Sequence, residues 1–169
     1  MIVVLTLPLA AQTPKAAAQA NPLSSDARAG WGFVKTLVLR AAEKMPEENY
    51  AFKPVPEVRS FGQLIEHIAF SQQALCAMVK GVPGPVAAAE KTAKADVIAA
   101  LKDSNAACDA AFANLTDANA TDVLTIWGES RTRVTGLFML SFHGYEHYGN
   151  MVTYMRLKGL VPPSSEPRK

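Results

Sequence analysis

The sequence predicts an all-α fold, a four-helix bundle with a long crossover between helices 2 and 3. Three observations carry that expectation. Hydrophobic residues make up 49% of the 169-residue chain while aromatics make up only 8%, with alanine abundant, a mix that suits close-packed helices. Four long segments carry helical signals, and no region is rich in strand signals. A Gly- and Pro-marked connection then separates the second segment from the third.

The length fits one domain with a sizeable core. Residues 1–20 are expected to be an export leader, the alternative being a disordered Ala/Gln/Pro tail, and 21–169 the bundle. Ile2 to Ala11 is an apolar run of signal-core length, and Ala18-Gln19-Ala20 offers small residues for cleavage, although no Lys or Arg precedes the run. Export would place the protein in the periplasm or outside the cell. Without processing it would be cytoplasmic. No stretch is long enough to span a bilayer. A formal net charge of +2, with no basic cluster, argues against nucleic acid as a partner.

Helix 1 is expected from Ser25 or Asp26 to Lys44. Ser24, Ser25 and Asp26 are its N-cap candidates, and Pro46 stops it. Phe33, Leu37, Val38 and Ala41 form the expected inward stripe, with Trp31 near the start. The Pro-studded connector from Pro46 to Glu57 cannot be regular helix, and Tyr50 and Phe52 are expected to pin it to the bundle. Ser60 and Gln63 make a capping-box pattern that opens helix 2. Helix 3 is expected roughly over Thr92–Leu115, with Ala95, Ile98, Ala99, Leu101, Ala106, Ala110 and Phe112 facing inward in some combination. An extended stretch follows at 123–128. Ser130 then caps helix 4, which ends at Lys158-Gly159 ahead of Pro162-Pro163.

All three histidines fall on these helices. His143 and His147 stand one turn apart on one face of helix 4, and His67 lies on helix 2. Two histidines at i, i+4 plus one from a neighbouring helix suffice for a three-histidine metal site with an open position. Asn150 and Tyr154 share the ligand face of helix 4, while Gln63 and Ser71 share that of His67, so these four are candidates for the pocket or for support of the ligands. Glu146, about 60° from His143 on the helical wheel, is the candidate general base, against the simpler reading of an exposed glutamate. His-x-x-Glu-His at 143–147 is also an inverted metalloprotease pattern. Only one glutamate follows it, Glu166 in a Pro/Ser tail, so that reading fails for want of a further ligand.

Two stretches resemble the DinB-like superfamily: Glu57-Val58-Arg59-Ser60-Phe61-Gly62-x-Leu64-Ile65-x-His67-Ile68-Ala69, and His143-x-x-Glu146-His147-Tyr148-Gly149-Asn150 continuing through Tyr154, Arg156 and Lys158-Gly159 to Val161-Pro162-Pro163-Ser164. The resemblance covers about residues 25–165. It implies a four-helix bundle whose three histidines, here His67, His143 and His147, hold one divalent transition metal, often nickel or zinc. It also implies a small-molecule substrate. Members include metal-dependent hydrolases and thiol transferases or isomerases. Hydrolysis by a metal-activated water is the first expectation, with thiol transfer and a non-catalytic metal-binding or stress-associated role as the alternatives. A homodimer is expected, both from the Ala-rich faces and from the resemblance.

Cys76 and Cys108 lie away from the histidines in sequence. They are either bridged, as an exported protein allows, or two buried small hydrophobes. The leader tips the expectation towards the bridge.

Overall fold

The computed structural model describes residues 20–86 and 93–167. Its helices are α1 (Pro22–Lys44), α2 (Phe61–Lys80), α3 (Lys94–Ala113) and α4 (Arg133–Leu157), with strands β1 (Val123–Ile126) and β2 (Glu129–Thr132) between α3 and α4. The expected leader lies outside the described residues but for Ala20, as does Thr92 at the expected start of helix 3. Helix α1 packs on α3 and α4, and α2 packs on the same two, so α1 and α2 stand on one diagonal and α3 and α4 on the other. The fold is the all-α four-helix bundle expected.

Helix α1 begins earlier than Ser25 because its cap is remote. Asn21 takes the N-cap position with no side-chain cap bond. Instead the Asp117 carboxylate accepts from the amides of Leu23 at 3.2 Å and Ser24 at 2.8 Å, 94 and 93 residues away in sequence. Pro22 fits the first turn, where a missing N–H costs nothing. On this helix Trp31, Val34, Leu37, Val38 and Ala41 are buried, but Phe33 is 59% exposed, so the inward assignment of Phe33 was wrong. The stripe runs through Trp31, Val34 and Val38 instead, one position off Phe33. Trp31 stacks on Phe112 of α3 at 5.3 Å, and its indole N–H donates to Asp109 at 2.7 Å.

Ser60 and Gln63 form the expected capping box at the head of α2. The connector before it holds a 3-10 turn at Glu47–Asn49. Tyr50 is buried there, its hydroxyl donating to Ala42 at 2.7 Å and its ring meeting Phe61 edge-on. Phe52 is partly buried against the core. Helix α3 corrects a face assignment. Val97, Leu101, Ser104, Asn105, Cys108, Ala111 and Phe112 are buried, while Ala95, Ala99, Ala106 and Ala110 are exposed. Alanine favours helix on either face and loses little in water, so its abundance marked the helix and not its inner side. Ser104 is accommodated inside because its hydroxyl donates to Gln72 at 2.6 Å. Cys76 of α2 and Cys108 are bridged, with Cα atoms 5.4 Å apart, inside the range a disulfide needs.

The extended stretch is one arm of a hairpin, with Val123 paired to Thr132 and Ile126 to Glu129. Trp127 and Gly128, at φ 50° and 81°, make the turn, the pair of positive φ values that matches strand twist. Ser130 therefore lies in a strand, and Thr132 caps α4 with its side chain accepting from the Thr135 amide. The far end of α4 closes as expected: Leu160 donates to Met155 at 2.9 Å and Gly159, at φ 71°, to Arg156 at 3.0 Å.

Candidate metal centre

The site forms where α2 packs against α4. The capping box fixes the start of α2 and so sets His67 about two turns into it, while His143 and His147 present successive turns of α4. Gly144, between them, lets α4 approach α1: a Cβ there would stand 3.0 Å from Val34 Cγ2. His147 is buried, and His67 and His143 are half-buried.

The three Nε2 atoms converge. His147 and His143 are 2.9 Å apart at these nitrogens, and His143 and His67 are 3.1 Å apart. All three ligand atoms lie within 4.8 Å of one another. Two imidazole nitrogens each about 2.0–2.1 Å from a shared ion stand about 2.9–3.4 Å apart, for bond angles between square and tetrahedral. Both close spacings fall in that span. The rings are tilted 59°, 84° and 85° to one another, so they radiate from a common point and do not stack. The residues present are thus positioned to bind one metal ion.

Electrostatics prepare the imidazoles for that role. Burial lowers the pKa of all three, and takes His143 to about 4. The Arg59 guanidinium pushes all three further down, and the Glu146 carboxylate pushes all three up. Burial prevails, so at neutral pH each ring is uncharged, with a lone pair available to a metal.

A groove of about 980 Å³ opens beside the cluster, and His67, His147, Arg59, Gln63, Asn150 and Tyr154 are among its lining residues. Asn150 faces the outer nitrogen of His147, Nδ2 to Nδ1 at 3.4 Å. If Nε2 is a ligand, Nδ1 carries the proton, and the carboxamide must turn Oδ1 towards it. Tyr154 spends its hydroxyl on the fold, donating to the Arg59 carbonyl at 2.7 Å. Gln63 uses Oε1 to accept from the Ser60 amide at 2.8 Å. Ser71 is half-buried one turn past His67, and neither it nor Glu146, which is exposed, is among the groove's lining residues. Arg59 was missed in the sequence. The signal was a lone cation directly before the cap of a histidine-bearing helix.

Fold and site together define a four-helix bundle with three histidines from two helices gathered at one point. A family model described as the DinB superfamily matches residues 33–151, and all three histidines lie within the match. The chain belongs to the DinB superfamily. It is similar to the crystal structure of a DinB-like protein from Bacillus cereus ATCC 10987, with TM-score 0.70 and 18% identity over 82% of this chain and 95% of that one. A DinB-like protein from Bacillus subtilis gives TM-score 0.66 and 20% identity over 85% and 99% of the two chains. A conserved protein from Enterococcus faecalis gives 0.65 and 16% over 83% and 98%. At these identities the likeness shows the fold alone. No curated protein matches the chain.

Proposed function

We propose that this protein is a metal-dependent hydrolase of small molecules, with His67, His143 and His147 as the ligands of one divalent ion, nickel or zinc. The observation that carries the reading is the convergence of three neutral imidazole nitrogens beside a groove. Such an ion lowers the pKa of bound water towards neutrality and polarises a carbonyl. The chain's own residues supply the rest. Asn150 orients His147, and Tyr154 holds the connector that forms one lip of the groove. At about 980 Å³ the groove has the volume of a small-molecule site.

The Cys76–Cys108 bridge supports hydrolysis over thiol transfer. Disulfides persist in oxidising compartments, whereas a thiol co-substrate has to stay reduced. The same bridge supports the reading of residues 1–20 as an export leader.

A screen of esters, amides and thiol conjugates tests this on metal-reconstituted protein. The expected result is turnover with water alone that disappears in His67→Ala. Turnover that requires an added thiol would contradict hydrolysis and favour transfer.

A further inference from the structure

Arg59 is the one cation of the groove that stands directly before the cap of α2, and its place in the fold is fixed. The Tyr154 hydroxyl holds its carbonyl at 2.7 Å, so α4 positions Arg59 as well as two of the histidines. Its side chain is exposed on the groove wall, and among the described residues the guanidinium forms no hydrogen bond or ion pair. Fold stability therefore uses the Arg59 backbone and leaves its five N–H donors for something else.

We propose that Arg59 is an anion-recognition residue of this groove, and that the ligand it takes carries a carboxylate at one end and its metal-directed group at the other. This rests on the metal reading above for the second group only. The choice of carboxylate over phosphate comes from what surrounds the guanidinium. A phosphate site at a helix start would use free backbone amides. Here the amides of Phe61, Gly62 and Gln63 already donate to Phe52, Tyr50 and Ser60. The anion thus meets the guanidinium fork without helix amides, and the fork matches two carboxylate oxygens. The other charged groups of the groove are Lys53, Glu57 and Glu66.

The test is calorimetric titration of the purified full chain, zinc-loaded and metal-free, with malonyl, succinyl and glutaryl monohydroxamates. Each is compared with its terminal amide and with a phosphonate counterpart. The expected result is about a tenfold preference for carboxylate over amide at one chain length or more, as a charged hydrogen-bonded pair gives. That preference should fall below about threefold in Arg59→Gln and be partly restored in Arg59→Lys, because a lone ammonium lacks the fork. The melting temperature of Arg59→Gln should match the parent, since only the backbone carbonyl serves the fold. A preference unchanged in Arg59→Gln overturns the proposal, and so does equal binding of acid and amide. A phosphonate bound more tightly than the carboxylate overturns the assignment of the anion. Hydroxamate binding that is the same with and without zinc overturns the metal reading instead, while the acid–amide difference still reports on Arg59.

Discussion

The Tyr154 hydroxyl donates to the Arg59 carbonyl at 2.7 Å, joining residues 95 apart in sequence. One helix thereby carries two metal-directed histidines and also fixes the backbone of Arg59, which lines the same groove as His147. Tyr154 packs against Phe52 and Phe61 as well, so the ring stays anchored if the hydroxyl is removed. Tyr154→Phe is expected to cost about 0.5–1.5 kcal/mol, the usual net worth of one hydrogen bond. Metal affinity should be unchanged, while the preference for anionic probes weakens. Chemical denaturation and calorimetry check both parts.

Two glycines of α4 should respond oppositely to alanine. A Cβ at Gly149 meets nothing within 4 Å. Gly149→Ala should therefore stabilise by about 0.5–1 kcal/mol, the intrinsic helix gain. At Gly144 the added methyl presses on Val34, whose branched side chain has little freedom to turn away. Overpacking costs about 1–3 kcal/mol, which cancels or exceeds the gain. Denaturation midpoints of the two variants decide it, and equal stabilisation of both would refute the close approach.

The bridge between Cys76 and Cys108 spans a separation of 32 residues. Closing a loop of that length constrains the unfolded chain by about 3–4 kcal/mol. The Cys76→Ser, Cys108→Ser double variant should lose up to that amount in urea unfolding. Its metal content should not change, because neither cysteine belongs to the histidine cluster.

The metal-free protein should lose stability in acid through its histidines. Burial holds the His143 pKa at about 4, below its value of about 6.5 in the unfolded chain. Between those values the unfolded chain binds a proton that the folded one does not, so stability falls as pH drops from about 6.5 towards 4. His67 and His147, also lowered, add in the same direction. Denaturant midpoints across pH 4–7 check it. A His143→Gln variant should show a shallower slope over that range.

The histidine trio was legible in the sequence because helical spacing alone puts His143 and His147 on one face. The capping box and the glycine stop of α4 were legible because each depends on two or three neighbouring residues. What depends on distant partners was not. The start of α1 is fixed by Asp117 from beyond α3, which nothing near Asn21 announces. Strand β2 was missed because Glu129-Ser130-Arg131-Thr132 has no apolar alternation, and it holds by pairing with β1. On α3 the alanines did not mark a face, and the buried side includes Ser104 and Asn105, polar residues that composition places outside. Arg59 stands in the quoted stretch before helix 2, but its place on the groove wall depends on the fold and not on its neighbours in sequence.

Metal content measured against the number of chains tests the central claim most directly. Elemental analysis after reconstitution with nickel or zinc and exhaustive dialysis should give about one ion per chain in the parent, and much less than one in His147→Ala at the same folded yield. Retention of a full equivalent by His147→Ala, or no metal in the parent, would contradict the three-histidine centre.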